Sequence, residues 1–261
     1  MSRTLDPFEI RGAVIIVPVV SVAAFQRRAI YVNPLDGINL NRVCPGNPTG
    51  TITEMMAALL FRNVIAQADY SIDLHGGDMI EALILFTLYY RTGNEALDSR
   101  ARALAEAYGI PIIVGTTVLR GGSYDAAAAM DKPAVLTEAG GQGILDESST
   151  QMHIRGVKNA LKRFGLLAGS SEPAPAPLYY DRFVWLASEQ ECVYYPKVTV
   201  GQQMKEGELL AEFTDLFGDK IGELRSPVDG PVLFLGTSPA LNRNDSPMAI
   251  GAKESGQRRP G

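Results

Sequence analysis

The chain has 261 residues, 46% of them apolar and 20% charged, a globular balance that suits one large domain or two unequal ones. A formal net charge of −5 and a pI near 5.2 argue against a nucleic-acid surface, which needs clustered Lys and Arg. Two cysteines, Cys44 and Cys192, make no disulfide framework, MSRTLDPFEI has no signal-peptide core, and the apolar stretch AVIIVPVVSVAAF is too short and too proline-broken to cross a membrane, so a cytoplasmic protein is expected.

GAVIIVPVVSV, residues 12–22, is rich in Val and Ile without alternation and predicts a strand buried on both faces. An irregular segment, RRAIYVNPLDGINLNRVCPGNPTG, follows. Thr51 and Glu54 then form a capping box that opens a helix, with Met55, Met56, Leu59, Leu60 and Val64 as its apolar stripe. ADYSIDL (68–74) predicts a strand, and IEALILFTLYY (80–90) a further apolar run. Asn94 caps a helix with Leu97, Ala101, Leu104 and Tyr108 on one face. IPIIVGT (110–116) and PAVLTEA (133–139) are strands. A last helix runs from about Ser148 to Phe164, lined by Ile154, Val157, Leu161 and Phe164, with Gly165 placed to end it. Its basic run KNALKRFG reads as a polar face and last turn, where cations suit the dipole. Strands alternating with helices predict an α/β domain over 1–167. AGSSEPAPAPL, 168–178, reads as a linker, and the short runs and glycine turns of 179–252 as a small β domain. The tail at 253–261 is expected to be disordered.

In a parallel α/β sheet, ligand sites lie beyond the carboxyl ends of the strands. His75 closes YSIDL and Glu138 closes PAVLT. Strand alternation puts Asp73 on the side of His75. A carboxylate on the second nitrogen of a metal-bound imidazole is a common arrangement. A surface histidine at a strand end, with Asp73 satisfied by loop amides, explains the same residues. Asn41 and Arg42 sit in a turn-rich loop just before a helix; a guanidinium fork suits a carboxylate, although a loop arginine can equally be solvated.

In order and spacing, NPLDGINLNRVCPG, GTITE, SIDLHGG and TEAGGQG resemble the succinylglutamate desuccinylase/aspartoacylase family, zinc-dependent amide hydrolases related to the zinc carboxypeptidases. MKEGE (204–208), LFGD and SPVDGPV extend the likeness to that family's C-terminal β domain. The resemblance implies a mixed, mostly parallel sheet with helices on both faces plus a β-barrel-like C-terminal domain. It also implies zinc bound by His75, Glu138 as the general base, and Asn41 and Arg42 on the substrate's carboxylate. Asp73 would support His75 through its second nitrogen. Cys44 stands where the family usually has Phe.

The family draws a second His and a Glu from an H-x-x-E motif that would stand upstream of Met1. His153, the only other histidine, matches no ligand position and reads as a partly buried or cap-proximal helix residue. The resemblance therefore implies an incomplete zinc site and a sheet lacking its N-terminal strands, with an unpaired edge open to another chain. A misassigned start, a split gene whose second product complements this one, and an inactive relative all fit. The expected activity is hydrolysis of a small-molecule N-acyl amino acid, and the alternative is an inactive relative serving as an anionic-ligand binding or assembly protein; the expected protein partner is a second copy of the chain or a complementing N-terminal fragment. A biotinyl or lipoyl carrier is disfavoured, because the turn Val228–Asp229–Gly230 holds no lysine. Tyr124, Asp125 and Arg120 could line the pocket and receive no role from the sequence.

Overall fold

The structure, a computed structural model, describes residues 5–253, so nearly all of the expected tail lies outside the described residues. The first α/β region supplies α1 (Val22–Arg27), α2 (Ile52–Asn63), β1 (Ser71–His75), β2 (Glu81–Leu83), β3 (Phe86–Tyr90) and α3 (Glu95–Tyr108). It continues with β4 (Ile112–Thr116), α4 (Ser123–Ala128), β5 (Ala134–Glu138) and α5 (Glu147–Arg163). The central sheet has the order β1-β5-β3-β4-β6, its last strand being β6 (Leu178–Tyr180), just beyond the Pro/Ala-rich stretch. Only the β3–β5 pair is antiparallel, so the sheet is mixed and mostly parallel as expected.

Strand alternation gives this sheet two covered faces. Tyr89, Ile113 and Val135 pack against Ala101, Leu104 and Ala105 of α3 and Ala160 of α5. Leu88, Val114 and Leu136 face the other way, toward Phe61 of α2, Ala127 of α4, and Phe183 and Phe234 from the C-terminal region. Local sequence explains the helix ends. Thr51 accepts from the backbone N–H of Glu54 while the Glu54 carboxylate accepts from Thr51 N–H, a complete capping box. Asn94 caps α3, Asp146 caps α5, which begins at Glu147, one residue before the expected start, and Gly109 ends α3 in the left-handed region.

The C-terminal strands are β7 (Arg182–Leu186), β8 (Cys192–Pro196), β9 (Gln203–Met204), β10 (Leu209–Thr214), β11 (Lys220–Arg225), β12 (Gly230–Gly236), β13 (Ala240–Leu241) and β14 (Met248–Ala252). Two antiparallel sheets, β11-β10-β8-β13 and β2-β12-β14-β7, enclose a core of Leu186, Tyr194, Leu210, Phe213, Val232, Met248 and Ile250; β9 pairs with β12. The second sheet includes β2, which leaves the α/β region to pair with β12. The run 80–90, expected as one apolar element, is thus two strands in two different sheets. Ile84 marks the crossing, donating its N–H to Leu233 O.

Two further expectations are corrected. Residues 12–22 form no strand: 13–20 are irregular and mostly exposed, and α1 begins at Val22. A β-prone run becomes a strand only where a ladder partner exists, and among the described residues none is offered, while β1 pairs on one side alone. In α2 the buried face is Thr53, Ala57 and Phe61, whereas Met55 and Leu59 point to solvent. The face of α5 is wider than expected: Val157, Leu161 and Phe164 do pack on the core, joined by the buried Met152, Gly156, Asn159 and Ala160.

Candidate active site

Parallel pairing of β1 with β5 sets His75 directly opposite Glu138 at the carboxyl ends of both strands. The imidazole Nδ1 lies 3.8 Å from Glu138 Oε1, and Nε2 lies 3.1 Å from Asp73 Oδ2. Asp73, two residues earlier on the same face, also accepts a hydrogen bond from the Ser123 hydroxyl. Burial would raise the Asp73 carboxyl, but the His75 charge and the bonds from His75 and Ser123 hold it below its ordinary range. Burial alone would lower His75; the Asp73 carboxylate and then Glu138 outweigh it and lift the imidazole to about 9. Glu138 is pushed up to about 7, first by burial and then by Glu81 and Asp73, against the pull of His75. Its Oε2 is buried and has no hydrogen-bond partner among the described residues. A carboxyl that titrates near neutrality and faces a cavity is suited to taking and giving a proton.

His153 is not a ligand candidate in this geometry. Its Nε2 lies 2.9 Å from the backbone oxygen of His75 and its Nδ1 2.7 Å from the Tyr108 hydroxyl. With both nitrogens engaged, the ring is a strut beneath the end of β1, and burial lowers its pKa. Gly156 lets Tyr108 reach it: a Cβ at Gly156 would meet the Tyr108 ring at 2.4–2.6 Å.

The anion-binding candidates come from the loop before α2. Asn33 and Asp36 hold that loop. Asn33 donates to Thr53 Oγ1 at 2.9 Å, and Asp36 accepts from the Thr53 amide and hydroxyl, both at 2.7 Å. A short turn at Leu40–Arg42 then carries Asn41 and Arg42 into the cavity. Asn41 spends its side-chain oxygen on the Ser123 amide at 2.9 Å, and Arg42 donates to Asn41 O at 2.7 Å. Asn41 therefore ties its loop to the start of α4 and keeps only its NH₂ for a ligand.

The cavity these residues share holds about 250 Å³. Its walls also include Tyr31, Asp78, Glu81, Arg120 and Tyr124, and three aromatic rings from the C-terminal strands, Phe183, Trp185 and Phe234. Asp78 and Glu81 are knit to Tyr31: its amide donates to Asp78 at 2.7 Å and its hydroxyl to Glu81 at 3.0 Å. The sequence pointed to His75, Asp73, Glu138, Asn41 and Arg42, and the structure brings all five to one site. It did not point to Ser123, Trp185 or the supporting role of His153, each of which arrives from far along the chain.

A catalytic zinc needs three protein donors and an open position. Asp73 and His75 have the carboxylate–imidazole relation of a supported metal ligand. Among the described residues, however, no group of three or more His, Cys, Asp or Glu side chains is placed to hold a metal ion. His75 is one donor, and the residues present do not complete the set. No helix among the described residues is long and apolar enough to cross a membrane.

A family model for the succinylglutamate desuccinylase/aspartoacylase catalytic domain matches residues 1–164. N-alpha-acetyl-L-2,4-diaminobutyric acid deacetylase of Halomonas elongata is 29% identical over 265 residues, covering 96% of this chain and 75% of that protein. The product-bound ectoine utilization protein EutE (DoeB) of Ruegeria pomeroyi superposes with a TM-score of 0.86 at 27% identity, over 97% of this chain and 78% of that one. A succinylglutamate desuccinylase/aspartoacylase of Rhodobacter sphaeroides also reaches 0.86, at 26% identity, over 97% and 79% of the two chains.

Proposed function

We propose, from the premise that the chain belongs to the succinylglutamate desuccinylase/aspartoacylase family, that it hydrolyses the amide bond of a small N-acylated amino acid. The observation that carries this reading is the His75–Glu138 pair, in register on parallel strands, with the Glu138 carboxyl raised to about 7 at the floor of the cavity. Ionised Glu138 accepts a proton from an attacking water. The water oxygen bonds to the acyl carbon, the C–N bond breaks, and the protonated carboxyl returns its proton to the leaving nitrogen, giving a carboxylic acid and a free amine. Arg42, with the Asn41 NH₂, holds the amino acid's carboxylate so that the amide lies toward Glu138. The barrel aromatics Phe183, Trp185 and Phe234 wall the cavity and limit water there.

Zinc belongs to this proposal as the cofactor, with His75 as a ligand and Asp73 orienting it. The described residues provide no complete donor set, so the steps above are assigned to the chain's own groups. The protein is proposed to work in the cytoplasm, where its free cysteines Cys44 and Cys192 would stay reduced. N-alpha-acetyl-L-2,4-diaminobutyrate is the first substrate to test, since the Halomonas relative is a deacetylase named for that compound; N-succinylglutamate and N-acetylaspartate follow. Release of free amine by the purified protein tests the reading, and no release from any of the three, with zinc supplied, counts against it.

One observation favours a second reading. His75, the one imidazole facing the cavity among the described residues, is by itself a poor zinc holder, as an inactive binding or assembly relative would have. About one zinc per chain together with amidase activity supports the enzyme; carboxylate binding with neither supports the second reading.

A further inference from the structure

Arg120 lies on the loop between β4 and α4, next to the loop that carries Arg42. The two loops are clamped together. Cys44 N–H donates to Gly121 O at 3.0 Å, and Ser123 N–H to Asn41 at 2.9 Å. Gly121 makes this possible: it sits at φ +73°, and a Cβ there would stand 2.4 Å from Arg42 O. Asp125 fixes the base of the loop by accepting from Arg120 N–H at 2.7 Å. The guanidinium itself lies over the indole of Trp185, its central carbon 4.3 Å from the ring centroid, so a C-terminal strand helps to place it.

Stacking occupies the face of a guanidinium and leaves its edge N–H groups free in the plane. Among the described residues no carboxylate forms an ion pair with Arg120 or with Arg42. Burial, and then the charge of Arg42, lower the Arg120 pKa, so the two cations feel each other across the cavity both of them line. Two neighbouring like charges without a protein counter-ion are relieved by an anion between them.

We propose that Arg120, held against Trp185, is a second guanidinium for the substrate's carboxylate, so that the C-terminal barrel takes part in specificity. The proposal rests on the reading of Arg42 as the carboxylate site. Arg120 is a binding residue in this account and takes no part in proton transfer.

Trp185 is the only tryptophan in the chain, so intrinsic fluorescence reports on this corner of the cavity. The probes are N-alpha-acetyl-L-2,4-diaminobutyrate and its α-carboxamide, titrated into wild type, Arg120→Ala and Arg120→Lys, with circular dichroism confirming the fold of each. Wild type should bind the carboxylate in preference to the carboxamide. Arg120→Ala should weaken carboxylate binding by roughly tenfold to a hundredfold and leave carboxamide binding nearly unchanged. Arg120→Lys, which keeps the charge and loses the plane, should fall between. Equal affinity of wild type for the two probes, no binding of either, or unchanged selectivity in Arg120→Ala would overturn the proposal. Carboxylate-selective binding that depends on Arg120 but comes with no hydrolysis sustains the proposal and removes the enzymatic reading. Hydrolysis with selectivity independent of Arg120 does the reverse.

Discussion

The ring of His153 stands directly beneath His75, its Nε2 2.9 Å from the His75 carbonyl oxygen and its Nδ1 2.7 Å from the hydroxyl of the fully buried Tyr108. The second histidine of the chain thus holds the first in place from behind. Replacing His153 by Ala removes one partner from each of two groups, while the Tyr108 hydroxyl keeps the backbone oxygen of residue 153 and the His75 carbonyl keeps the Ala139 N–H. The expected cost is about 0.5–1.5 kcal/mol of folding stability at pH 7, read by urea denaturation. A variant as stable as wild type would show that the strut does not bear on the fold.

Gly156→Ala tests the same region from the helix side. The added methyl would meet the Tyr108 ring, and neither α3 nor α5 has free space there. A loss of about 1–3 kcal/mol is expected, where an ordinary Gly→Ala change in a helix is stabilising. Thermal or chemical denaturation gives the sign directly.

Glu138 couples activity to stability in opposite directions. Its carboxyl is raised from its ordinary value to about 7, so ionisation costs the folded state free energy. That penalty is absent below about pH 4.5, grows as pH rises toward 7 and is constant above. Glu138→Gln removes it, so the variant should be more stable than wild type at pH 8, by on the order of 2 kcal/mol, with the advantage shrinking toward pH 5. Equal melting temperatures at pH 8 would mean that the carboxylate is not strained in the folded protein.

The same carboxyl sets the pH dependence of hydrolysis. A base must be ionised to accept a proton, so kcat/KM should rise about tenfold per pH unit below 7 and level off above it. A profile flat between pH 5 and 8 would assign the proton to another group.

Much of this site was legible because its chemistry sits at strand ends. SIDLH and AVLTE read as strands, and strands that pair in parallel bring His75 and Glu138 together. The Thr51–Glu54 capping box and the Asn94 cap were legible because they are local, whereas the Asp146 cap was not read. What the sequence hid depends on distant partners. Ser123 reaches Asp73 across 50 residues, and His153 reaches His75 across 78. No turn residue marks the crossing at Ile84, where the chain passes from the C-terminal sheet to the central one. Residues 12–22 carry strand chemistry without a ladder, and the apolar period of α2 did not reveal that Phe61 would be buried in place of Leu59. In each case the choice belongs to tertiary packing.

Amine release from N-alpha-acetyl-L-2,4-diaminobutyrate by wild type and Glu138→Gln, side by side at pH 8 with zinc supplied, bears most directly on the whole account. Wild type should release amine, and the variant, folded and at least as stable, should be slower by about a hundredfold to ten-thousandfold. Equal rates for the two proteins would contradict the assignment of Glu138, and with it the hydrolytic reading of the His75–Glu138 pair.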